Sequence, residues 1–200
     1  MRHKGDGLIM TGLLFVAAAL FLTAFNMVEQ ERGKQASQQA VRELEQTFVV
    51  ESQTEEAVTP DYVLNPKISM PAVSQDGTDY IGLLQIPKLE LELPVIREWS
   101  YESLRKAPCC YSGSVYMDDM VICAHNYSSH FGNISALHLG DSIEFKDMDG
   151  NLFQYRVGDL EILQPSDLDA MEESGWDLTL FTCTVGGQSR VTVRCERVEE

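Results

Sequence analysis

Three hydrophobic rhythms succeed one another along the 200-residue chain. From Gly7 to Met27, GLIMTGLLFVAAALFLTAFNM runs for 21 residues without a charge, enough to cross a bilayer core as a helix. The run is longer than the apolar centre of a cleavable signal peptide and no A-x-A-like site follows it, so it reads as an anchor. The next stretch, EQERGKQASQQAVRELEQTFVV, is rich in Gln and Glu with Val41, Leu44 and Phe48 at helical spacing, which predicts a juxtamembrane helix. ESQTEEAVTPDYVLNPKISMPAVSQDGTD then carries three prolines and no sustained period, the pattern of a flexible stalk.

From Tyr80 the period shortens to two. YIGLLQIP, LELELPVI, VYMDDMVICAH, DSIEFKD, NLFQYRVGDLEIL, LTLFTC and RVTVRCERV are short alternating runs, separated by turn signals at Gly113, Asp118-Asp119, Gly140-Asp141, Asp149-Gly150 and Gly186-Gly187. Helical signal is confined to SYESLRKAP, SSHFGNISAL and the loop PSDLDAMEESGW. Seven or eight strands at this spacing predict an all-β barrel or sandwich. The chain therefore divides into a cytoplasmic N-terminus (1–6), a transmembrane helix (7–27), a juxtamembrane helix with stalk (28–79) and a folded domain (80–200).

Parity assigns faces within the last hairpin, LTLFTCTVGGQSRVTV. Leu178, Leu180 and Thr182 point inward with Val191, Val193 and Cys195, which leaves Thr179, Phe181, Cys183, Arg190, Thr192 and Arg194 on the outer wall. A turn over Thr184 to Ser189 makes Cys183 and Arg190 cross-strand neighbours, roughly 5 Å apart at Cβ. A thiol held beside a guanidinium on a rigid sheet makes Cys183 a candidate nucleophile.

Charge and cysteine count narrow the chemistry. Thirty-one acidic against 15 basic residues give a net charge of −16, which argues against nucleic acid as a partner and is ascribed to a solvated acidic surface. Arg2 and Lys4 before the apolar run, with Glu29 and Glu31 after it, place the N-terminus inside and the domain outside the cell. Five cysteines in an oxidising exterior are an odd number, and adjacent Cys109 and Cys110 cannot easily bridge each other. Cys109, Cys110, Cys123 and His125 match no zinc spacing, and Asp167, Asp169, Glu172 and Glu173 read as a solvated loop. No cofactor or metal is expected. Of four histidines, His3 is cytoplasmic, and His130 and His138 fall where surface histidines are the default. His125 ends an apolar strand, which exposes its ring at a strand tip and makes it the candidate acid–base partner for a reactive thiol.

TLFTC, residues 179–183, fits the T-L-x-T-C signature of the sortases, membrane-anchored cysteine transpeptidases of Gram-positive bacteria. Arg190 falls where that family's arginine follows, AHN matches the site of its histidine, and IGLLQIPKLELELPV resembles its first strands. HN followed by HFGNISAL is similar to class B, whereas TLFTCT and VRCERV are similar to the pilus-assembling class C. The resemblance implies a closed eight-stranded β-barrel with short helices, in a single-pass protein whose domain faces the exterior. It also implies that Cys183 attacks a C-terminal sorting signal of a secreted protein and forms a thioacyl intermediate. His125 would relay protons and Arg190 would bind the substrate carbonyl or oxyanion. The acyl group would pass to an amine from a cell-wall precursor or a pilin lysine. With ordinary pKa values of about 8.5 for Cys and 6.5 for His, the thiolate–imidazolium pair is about 1% of molecules near pH 7.5, so a slow enzyme is expected. The rival functions are an extracellular cysteine protease or hydrolase and a non-catalytic surface-binding module.

Overall fold

The computed structural model describes residues 3–51, 60–172 and 175–198. A helix, α1 (His3–Glu51), is followed by a one-turn helix α2 (Asp61–Leu64) and nine strands. These are β1 (Val73–Gln75), β2 (Thr78–Ile86), β3 (Leu91–Ile96), β4 (Cys109–Ser112), β5 (Met120–Ala124), β6 (Ser142–Asp147), β7 (Leu152–Leu163), β8 (Leu178–Cys183) and β9 (Arg190–Arg197). A short helix α3 (Leu168–Glu172) lies between β7 and β8.

The strand order is β1-β2-β3-β4-β5-β8-β9-β7-β6, and β6 returns to pair with β2. Strands β2 to β9 thus close an eight-stranded barrel, with β1 added at the edge of β2, as the barrel expectation required. Closure depends on Gly82, where β2 shifts register against β3 while also pairing Asp147 of β6. A Cβ there would lie 2.4 Å from the Phe145 ring and 2.5 Å from the Lys146 carbonyl oxygen. Alternation fills the interior. Leu84, Ile122, Ile143, Phe145, Leu180 and Val193 are fully buried there, each stabilising the fold by about 1.5–3 kcal/mol.

A second apolar cluster lies outside the barrel. Ala40, Val41, Leu44 and Phe48 of α1 are buried against Tyr80, Leu83, Ile96, Ala107, Cys109 and Cys123. The helix expected after the apolar run is therefore present, and its apolar stripe is docked on the barrel wall. This explains why β2 is buried on both faces from Tyr80 to Leu84 instead of alternating. By contrast, the segment from Leu8 to Val28 exposes its large apolar side chains, and its hydropathy is that of a membrane span. Of the stretch expected to be a stalk, residues 52–59 lie outside the described residues. The described part, 60–79, lies along the barrel: Tyr62 stacks on Tyr116 at 4.5 Å and Met70 is buried.

Two details differ from the periodicity. VYMDDMVICAH becomes strand only from Met120, because Val115 and Tyr116 are buried through a turn in which Asp118 takes a positive φ. CCYS forms β4, a strand too short to show alternation, whereas SYESLRKAP and SSHFGNISAL contribute only single 3₁₀ turns.

Candidate active site

The hairpin of β8 and β9 delivers the pair that parity singled out. Cys183 and Arg190 are directly opposed partners, and the turn between them is closed by hydrogen bonds from Thr184 N to Ser189 O (2.9 Å) and Gly187 N to Thr184 O (2.8 Å). Arg190 Nη1 donates to the carbonyls of Gly187 and Ser189, both at 3.1 Å, which fixes the guanidinium over the turn. Cys183 is the exposed one of the five cysteines, all of which are free thiols.

β5 lies parallel to β8 in unbroken register, with Ala124 opposite Thr182. The Thr182 hydroxyl donates to the Ala124 carbonyl at 2.8 Å and ties the two strand ends together. His125 follows β5 directly and Cys183 is the last residue of β8, so the register brings both to the same end of the sheet.

The His125 ring is half-buried and stacks face to face on Tyr127, with centroids 4.5 Å apart and planes 11° from parallel. Burial, and then the charge of Arg105, lower its pKa below the ordinary histidine value. Among the described residues no hydrogen bond orients the ring. His138 is exposed as expected, with Asp141 3.9 Å away. His130, expected at the surface, is fully buried, because the turn after His125 folds its ring beneath Tyr127. Burial holds it neutral, with a pKa of about 4.

A cleft of about 210 Å³ runs from Cys183 and Arg190 between the β7–β8 loop and the segment after β3. Its walls are apolar: Trp99, Leu104, Tyr111, Leu168, Met171 and Phe181. Tyr111 meets Phe181 edge-on at 5.4 Å and Trp99 at 5.7 Å, so the aromatic wall is internally braced.

The domain model of the sortase family, described as "Sortase domain", matches residues 84–198. The chain belongs to the sortase family. Sortase A of Bacillus anthracis is 26% identical over 180 residues, covering 86% of this chain and 83% of that protein. Similar solved structures include the sortase D5 transpeptidase of Clostridium perfringens (22% identity, 64% of this chain and 83% of that one, TM-score 0.54). Another is sortase C of the same organism with the C-terminal cell wall sorting motif (22% identity, 80% and 88%, TM-score 0.54). A third is sortase E1 of Streptomyces coelicolor with a tripeptide in the active site (23% identity, 60% and 88%, TM-score 0.52). At these identities the structural likeness establishes the barrel fold.

The sortase barrel also contains a residue that sequence reading assigned only to an outer face. Arg194 has the parity of Arg190 but is 1% exposed. Its guanidinium donates to Glu161 Oε1 (2.7 Å), Thr179 Oγ1 (2.8 Å), Ala170 O (2.5 Å) and Met171 O (3.4 Å). It therefore clasps the end of α3, the element that presents Leu168 and Met171 to the cleft. The available signal was a second outward arginine on the strand beside a loop with helical character.

The remaining cysteines are buried or half-buried, and Cys123 lines the cleft. Burial pushes the thiol of Cys109 up to about 12 and that of Cys110 to about 11, and raises those of Cys123 and Cys195 as well. Cys109 and Cys123 are opposed on β4 and β5 under α1. Among the described residues no group of His, Cys, Asp and Glu could hold a metal ion. Asp167 accepts hydrogen bonds from Gln164 N and Ser166 Oγ of its own loop, and Glu173 lies outside the described residues.

Proposed function

We propose that this sortase is a membrane-anchored cysteine transpeptidase that acts outside the cell on secreted proteins bearing a C-terminal sorting signal. Cys183, His125 and Arg190 carry the reaction. The observation that supports this most directly is the exposed Cys183 thiol, paired with Arg190 at the head of an apolar cleft, on a strand whose neighbour β5 leads directly into His125. The C. perfringens sortase C structure holds a sorting motif, and a signal of the same general kind is the substrate inferred here. The exposed apolar helix, preceded by Arg2 and Lys4, serves as the anchor.

In the first half-reaction the Cys183 thiolate attacks the carbonyl carbon of the scissile amide, and the oxygen takes up negative charge beside Arg190. Collapse breaks the C–N bond, and His125 as imidazolium gives its proton to the departing amine, leaving a thioester. In the second half-reaction an amine from a cell-wall precursor or a pilin lysine loses a proton to His125 and attacks the thioester. Cys183 is released as thiolate. Because burial and Arg105 lower the His125 pKa, its imidazolium is scarcer at neutral pH than that of a free imidazole, and turnover is slow.

The test is to incubate the full chain in detergent micelles with a peptide library and hydroxylamine, and to detect the products by mass spectrometry. The reading requires hydroxamate product that disappears in Cys183→Ala. Hydrolysed product alone, unaffected by the amine, would establish a protease, and no product in either case would leave a binding module.

A further inference from the structure

A catalytic imidazole is usually held by a third group, most often a carboxylate bonded to the second ring nitrogen. His125 has no such partner among the described residues. Its neighbour is the flat face of Tyr127, 4.5 Å away and nearly parallel. Tyr127 sits in a tight backbone knot, in which His130 N and Gly132 N both donate to its carbonyl and Phe131 N donates to the His125 carbonyl.

The far side of this knot is α1. At Gly33 the helix passes so close that a Cβ would lie 2.8 Å from the Arg105 carbonyl oxygen and 3.3 Å from Tyr127 Cδ2. Glycine is a poor helix residue, and here its bare backbone is what lets the tyrosine ring rest against the helix. Glu29, one turn earlier, is near enough to add to the effect of burial in raising the Tyr127 pKa. Ser37, one turn later, is buried, and the stripe from Ala40 to Phe48 then pins the helix to the barrel. The buried ring of His130 lies 5.5 Å from Tyr127 and closes the seat.

We propose that α1 is part of the catalytic apparatus: its backbone at Gly33 seats the Tyr127 ring, and Tyr127 is the positioning residue that holds the His125 imidazole at the Cys183 rim. This rests on the reading of His125 as the acid–base group. It also sets the height of the reaction. Gly33 follows the end of the apolar run at Met27 by six residues, about 9 Å of helix rise, so the imidazole is braced close to the membrane face by the anchoring helix itself.

The test uses the full chain in phospholipid vesicles, with the peptide selected by the library and hydroxylamine as the amine. Tyr127→Ala is expected to lower kcat about tenfold or more with KM within about twofold of wild type. Tyr127→Phe, which keeps the stacked ring, should restore kcat to within about twofold. Gly33→Leu should reproduce the kcat loss from outside the cleft. In NMR spectra of the histidine rings, His125 should carry an upfield ring-current shift that persists in Tyr127→Phe and vanishes in Tyr127→Ala. An unchanged kcat in Tyr127→Ala, a loss confined to KM, or a failure of Phe to restore the rate overturns the proposal alone. A wild-type chain without Cys183-dependent product overturns the acyl-transfer reading and this proposal with it.

Discussion

Cys183 and His125 reach the same rim on unlike supports. Cys183 ends β8, which is held by continuous register between β5 and β9, and its cation stands opposite on the same hairpin. His125 lies one residue beyond β5, outside the sheet ladder, with an aromatic face in place of a hydrogen bond. On the proposed reading, a backbone ladder holds the nucleophile, whereas packing of Tyr127 against α1 would hold the acid–base group. The reactive carbonyl would then be received at a rigid place, and the proton delivered from a more adjustable one.

The rigid half gives the largest effect. Cys183→Ala should abolish the thioacyl adduct, seen by intact-mass spectrometry after trapping, and cut turnover by more than about 10³-fold. Next is Arg190→Ala, for which kcat should fall by about 10²–10³-fold; a change in KM alone would make Arg190 a substrate clamp with no part in the oxyanion. Arg194→Met loosens α3 without touching the reacting atoms. It should raise KM about tenfold, leave kcat within about twofold, and cost about 1–3 kcal/mol of stability in denaturant titration through carbonyls left without donors. The smallest effect probes the adjustable half. Activity needs protonated His125 with ionised Cys183, so the acid limb of kcat/KM reports the histidine. Because burial and Arg105 lower that pKa, the limb should lie below the ordinary histidine value of about 6.5. Arg105→Gln should move it up, and a limb that moves down or stays fixed would break the electrostatic account.

How much of this was legible follows from the range of each signal. Period-two alternation is local, so it located seven of the eight strands of the barrel, missing only the four-residue β4, and the facing of Cys183 and Arg190, and the turn between them followed from two glycines. Parity states a face and is silent on what covers it. Arg194 and Thr179 share the outward face with Cys183, yet both are buried, because α3 closes over one part of that wall and leaves the other open. Val41, Leu44 and Phe48 announced an apolar helical face without naming the surface it meets. For the same reason the burial of His130 and the seat of Tyr127 had no sequence signal beyond an isolated glycine in a helix. The TLFTC motif supplied what local pattern lacks, a link between His125 and Cys183 across 58 positions.

The hydrogen bond from the Thr182 hydroxyl to the Ala124 carbonyl joins strands separated by the whole of β6, β7 and α3. Completion of the barrel is therefore the condition for bringing the two ends together. The strand leading to His125 is made first, and the one ending at Cys183 follows only after two further strands and a helix. In a half-finished or locally melted chain the sulfur and the imidazole stand apart, so any reactivity that needs both would be tied to the finished fold.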